Sequence, residues 1–73
     1  METKAFYKVA AERTRDFKNT MRELGLRADA PATFLNVCSG FNYFYETEES
    51  YGDITEETAL RMAEQNKLEI IEW

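Results

Sequence analysis

KAFYKVAAERTRDF, residues 4–17, is the stretch on which the fold turns, because it can be read with two periods. At helical spacing, Phe6, Val9, Ala10 and Phe17 are continued by Met21 and Leu24, which predicts one amphipathic helix over residues 3–24. At strand spacing, Tyr7, Val9 and Ala11 share one face of residues 4–11, and Thr14 caps a shorter helix over residues 15–24. The unbroken phase and the abundance of Ala, Lys, Glu and Arg favour the long helix. Arg13, in the middle of the apolar stripe, favours the strand. Both readings end the helix at Leu24, with Gly25 as a left-handed cap and Leu26 folding back on Met21.

Working outward, RADAP (residues 27–31) is a connector, since proline biases the preceding residue away from helix. ATFLNVC and FNYFYET are β-prone and are separated by Ser39 and Gly40, which predicts a hairpin. Tyr51, Gly52 and Asp53 form the next break. Thr55 then caps a helix whose first turn holds Glu56 and Glu57, where the helix dipole favours negative charge. Ile54 is placed to pack on Ala59 as a hydrophobic staple, and Asn66 is a stop. LEIIEW closes the chain as a strand with two apolar faces, hence either central or an edge covered by another copy. The order predicts a single α+β domain over residues 1–73, a two-layer sandwich with two helices on one face of a three-stranded antiparallel sheet. With the first segment as a strand, the order becomes the β-α-β-β-α-β of a four-stranded ferredoxin-like sheet.

A 73-residue chain lies near the size at which a hydrophobic core alone sustains a fold. One cysteine closes no internal disulfide, and with no histidine there is no zinc framework. Dimerisation or a partner is the remaining support, so a homodimer is one expectation. No apolar run reaches a membrane span and no signal-peptide centre is present, so the chain reads as cytoplasmic. The net charge of −5 conceals a division: residues 1–27 carry seven basic against four acidic side chains, and the remainder two against ten. A molecule charged in this way can steer a partner or let copies associate head to tail.

The same composition bears on chemistry. Without histidine there is no ready general base near neutral pH, and the three glycines stand at separate turns rather than in a phosphate loop. Glu46, Glu48, Glu49, Asp53, Glu56 and Glu57 are dense enough to bind a cation or do acid–base work, but so small a protein can hardly enclose them, and they lack the spacing of an EF-hand. A non-enzymatic protein with no cofactor and no metal is expected. SGFNYFYE resembles the sheet motif of RNA-recognition domains at Gly40, Phe41 and Tyr43, and departs from it at Ser39, Asn42, Phe44 and Glu46. The carboxylates that follow argue against direct binding of RNA or single-stranded DNA, since phosphate affinity needs Lys and Arg.

They favour the inverse: an acidic inhibitor that mimics nucleic acid and occupies the basic surface of a nucleic-acid-binding protein, similar in size and composition to phage-encoded inhibitors of host defence or transcription machinery. The candidate binding residues are Tyr43, Phe44, Tyr45, Glu46, Glu48, Glu49, Tyr51, Asp53, Glu56 and Glu57. Strand parity assigns Phe41, Tyr43 and Tyr45 to the core and leaves Phe44 with Trp73 on an open face, the marker of an interface. That face is also where a self-associating structural or regulatory subunit would pair.

Overall fold

The computed structural model describes residues 3–29 and 40–73. Strand β1 (Ala5–Ala10) passes through a 3-10 turn (Ala11–Arg13) into helix α1 (Thr14–Glu23) and strand β2 (Arg27–Ala28). Then come β3 (Phe41–Glu46), β4 (Ser50–Ile54), helix α2 (Glu56–Asn66) and β5 (Ile70–Glu72). The five strands form one mixed sheet in the order β2-β4-β3-β1-β5. β3 is antiparallel to β1 and β4, while β1–β5 and β2–β4 pair in parallel.

The single helix over residues 3–24 is therefore replaced by a strand, a tight turn and a shorter helix. The physical reason is burial on both faces. Phe6 and Val9 are both fully buried, yet Phe6 packs with Ala59 and Ala63 of α2 while Val9 packs with Phe17 and Met21 of α1. A strand covered on both sides loses its polar alternation, and its apolar residues then mimic helical spacing.

The helices lie on opposite faces of the sheet, which gives three layers rather than two. β3 shows this by parity: Tyr43 joins the α2 cluster and its neighbour Phe44 the α1 cluster. Topology supplies the cause. The β1-α1-β2 crossover steps across the sheet in one direction and β4-α2-β5 in the other. Crossovers between parallel strands are almost always right-handed, so opposite steps carry their helices to opposite faces. Neither the three-stranded antiparallel sheet nor the ferredoxin-like alternative survives, although the α+β class holds.

Two further expectations change. The hairpin expected at Ser39 and Gly40 has its first arm outside the described residues; the hairpin present is β3–β4, turning through residues 47–49. Thr47 closes that turn: its N–H donates to the Ser50 carbonyl at 2.8 Å, and its Oγ1 accepts from the N–H groups of Glu49 and Ser50 at 3.3 and 3.0 Å. Tyr51, Gly52 and Asp53, expected as a break, run through β4. Gly52 suits the strand because the Tyr45 side chain lies over it, where a Cβ would stand 2.7 Å from the hydroxyl oxygen and 2.8 and 2.9 Å from ring carbons.

Thr14, expected as the cap of α1, is instead its first residue and donates its hydroxyl to the Ala10 carbonyl at 3.3 Å, while the C-terminal end of α1 and both ends of α2 follow the sequence reading. Gly25 (φ 84°) and Leu26 close α1, with Leu26 N–H bonding the Met21 carbonyl and Gly25 N–H that of Arg22. Thr55 caps α2 by accepting from the Thr58 N–H, and Ile54 joins the cluster around Ala59. Among the described residues β5 is an edge strand, paired with β1 alone.

Candidate functional site

The aromatic residues expected to mark an interface are divided between the two layers beneath the helices. Phe44 is 1 % exposed and stacks on Phe17 at 4.5 Å, so the open Phe44–Trp73 face does not exist; α1 covers it. Trp73 meets the same Phe17 ring edge-on at 5.5 Å and carries the Arg13 guanidinium over its own face at 4.7 Å. Tyr51, 2 % exposed, packs edge-on against Phe17 at 6.1 Å. Phe41, expected in the core, is 46 % exposed at the start of β3, with Lys8 Nζ 4.2 Å from its ring centroid. Position along the strand decides this as much as parity does: Phe41 pairs with the last residue of β1, at the sheet's end.

Tyr43, Tyr45 and Glu46 bind the fold to itself. Tyr43 is buried, and its hydroxyl donates to Glu56 Oε2 at 3.0 Å. Burial, then the bond to Glu56 and the charges of Glu56 and Glu72, raise its phenol pKa. The Tyr45 hydroxyl donates to Asp29 Oδ2; that bond, burial, and the charges of Asp29 and Asp53 push its pKa up to about 12. Glu46 is buried and accepts a 2.7 Å bond from the Tyr7 hydroxyl, with Lys4 Nζ 3.7 Å away. The Tyr7 phenol is pushed up to about 12 by burial first and then by Glu46. A buried carboxylate with a donor and a cation beside it is held as part of the structure.

The remaining carboxylates stand at two ends of one strand. Glu48 and Glu49 are exposed on the turn that opens β4; Glu56 and Glu57 are exposed on the first turn of α2, just after β4 closes. The five residues of β4 set the two pairs about 17 Å apart. Asp53 is half-buried between them. Glu49 lies 3.9 Å from Arg27 with both side chains largely in water, an arrangement worth little. Glu48 and Glu57 form no ion pair among the described residues. Arginine and lysine placed there by a partner would find carboxylates on rigid supports.

Sequence reasoning missed Asp29 and Tyr7 as partners of the aromatic and acidic strand, because both join it only through sheet pairing. It also missed a basic stripe. Arg15, Lys18 and Arg22 fall at i, i+3 and i+7 on one flank of α1, with Asp16 and Glu23 on the other, and Arg13 lies outside the helix. Among the described residues no group of three or more acidic or cysteine side chains is placed to hold a metal ion, and no helix is long and apolar enough to cross a membrane. No protein family, curated protein or solved structure matches the chain.

Proposed function

We propose that this chain is a non-enzymatic interaction domain whose exposed carboxylates engage a basic protein surface, with the phosphate-contacting face of a nucleic-acid-binding protein as the target class and inhibition by occupancy as the mode. The observation that carries the reading is the placement of Glu48, Glu49, Glu56 and Glu57: exposed, at both ends of β4, on a closed turn and a capped helix. Duplex DNA carries one negative charge per ~1.7 Å of helix axis, so a basic surface built to bind it presents several cations across about 17 Å, enough to meet both acidic pairs. Tyr43 holds Glu56 at 3.0 Å and reduces the entropy lost when a cation docks there. Without histidine, and with Glu46 and Asp29 engaged by tyrosines, the carboxylates are better disposed for charge recognition than for proton transfer.

The test is affinity capture from the native host with the wild-type protein and with Glu48→Lys/Glu49→Lys/Glu56→Lys as baits, at about 50 and about 500 mM salt. A basic protein retained by the wild type at low salt, and lost both at high salt and with the reversed bait, is the expected result. Equal retention by the two baits would sink the reading. A low-salt gel shift with RNA or single-stranded DNA would replace it with direct nucleic-acid binding.

A further inference from the structure

Each helix carries a stripe at i, i+3 and i+7, basic throughout on α1 and on α2 acidic at its two ends around an apolar centre. On α1, Arg15, Lys18 and Arg22 occupy i, i+3 and i+7; Arg15 and Arg22 are exposed, and Lys18 is half-buried with its ammonium 6.0 Å from the Phe44 ring. On α2, Glu57, Leu60 and Glu64 occupy the same three positions, all exposed, with Glu56 beside them and Arg61 along the outer border. Leu60 is 54 % exposed, a large apolar side chain set between carboxylates in the middle of its stripe. Seven residues of helix span about 10.5 Å, so the two stripes have equal length.

We propose that copies of this chain associate head to tail, the α2 stripe of one copy lying along the α1 stripe of the next. Charge complementarity chooses the occupant. The outer surface of α2 wants cations flanking an apolar contact, and the stems of Arg15, Lys18 and Arg22 supply apolar surface for Leu60 while their heads reach Glu57 and Glu64. Because α1 and α2 lie on opposite faces of the sheet, a copy can use both stripes at once. The contact is heterologous, so association proceeds past a dimer, to a filament or a closed ring as the rotation between copies dictates. Exposed ion pairs are weak and screened by salt, which places assembly at high concentration and low ionic strength.

The proposal rests on the reading of α2 as a contact surface, and its test contains only this protein, so a negative result would leave capture of a basic partner standing. In sedimentation equilibrium the wild type should show a weight-average mass that climbs with concentration at about 20 mM salt and returns to the monomer at about 500 mM. Glu57→Gln/Glu64→Gln and Arg15→Gln/Arg22→Gln should each remain monomeric at low salt, with unchanged circular dichroism. Mixed in equal amounts they retain one intact stripe each, and they should form a discrete 1:1 dimer that grows no further. A wild type that stays monomeric at low salt over about a hundredfold range of concentration would overturn the proposal. So would Gln variants that associate as the wild type does.

Discussion

The two faces of the sheet are filled by different means. Under α1 the space is taken by rings around Phe17, which meets Tyr7 at 5.3 Å, Phe44 at 4.5 Å, Tyr51 at 6.1 Å and Trp73 at 5.5 Å. Under α2 the fully buried helix residues are the small Ala59 and Ala63, which meet Phe6 and Tyr43 of the sheet, and Met62, Tyr45, Ile54, Leu68 and Ile70 pack around them half-buried. Small helix residues let α2 approach the sheet, and the tyrosine hydroxyls project past it to Glu56 and Asp29. One face is a core of packed rings that also holds the Tyr7–Glu46 bond; the other is an apolar layer built on small helix residues and edged by the Tyr43–Glu56 and Tyr45–Asp29 bonds. The first should carry most of the stability, and the second should connect stability to the acidic surface.

The largest effect should come from removing the hub of the aromatic face. Phe17→Ala deletes a fully buried ring that four other rings touch, at a cost of about 3–5 kcal/mol. For so small a domain that is most of its stability, so the variant should be largely unfolded at 37 °C by circular dichroism. On the other face, Ala59→Leu overfills the layer under α2 and should cost about 1–3 kcal/mol in urea unfolding. A larger loss for Ala59→Leu than for Phe17→Ala would reverse the assignment of the main core.

The next effect tests the phenol–carboxylate bonds. Tyr7→Phe leaves the buried Glu46 without its 2.7 Å donor and should cost about 1.5–3 kcal/mol. The same bonds set an alkaline limit. Tyr7 and Tyr45 have folded pKa values of about 12 against 10.0 for the free phenol, and that of Tyr43 is also raised. A folded state that holds its phenol protons more tightly than the unfolded chain has the full benefit below pH 10 and loses it as pH rises towards 12. Urea midpoints should fall over that window, and less steeply in Tyr7→Phe/Tyr45→Phe. An unaltered slope in the double variant would remove these phenols as the cause.

A smaller effect is expected at the close approach of Tyr45 to β4. In Gly52→Ala the new methyl meets the hydroxyl end of the Tyr45 ring, which must swing away and release Asp29. Because the obstructing atoms are the far end of a side chain, the cost should be about 1 kcal/mol by urea unfolding, much of it absent in a Tyr45→Ala background, which removes the ring.

What could be read from the sequence follows from where the information is local. The cap at Thr55, the staple at Ile54, the end at Asn66 and the Gly25–Leu26 closure are contacts within a few residues of one another, and the structure has them all. The strand at β1 is the less favoured of the two sequence readings because both its faces are buried by helices, one of them far away in sequence, which leaves its apolar residues at helical as well as strand spacing. Phe44 was misplaced for the same reason: parity separates it correctly from Tyr43, but only the opposite directions of the two crossovers say that both sides are covered. Of the candidate site, parity and composition located the exposed carboxylates. They could not show that Glu46 is taken up by Tyr7, a partner 39 residues away.

The two helix ends complete the contrast and give the smallest effect. Both finish with the same pair of hydrogen bonds: Leu26 to Met21 and Gly25 to Arg22 on α1, Leu68 to Ala63 and Lys67 to Glu64 on α2. The left-handed position is filled by glycine on the aromatic face (Gly25, φ 84°) and by lysine on the other (Lys67, φ 58°). A side chain in that conformation costs about 1–2 kcal/mol, while glycine adds about 0.5–1 kcal/mol of chain entropy to the unfolded state. Lys67→Gly should therefore raise stability by roughly 0.5–1 kcal/mol, and Gly25→Ala should lower it by a similar amount, both read from urea midpoints. If Lys67→Gly destabilised the fold, the lysine would be making a contact at the foot of α2 that outweighs its backbone strain, and the α2 face would be better secured than its alanines suggest.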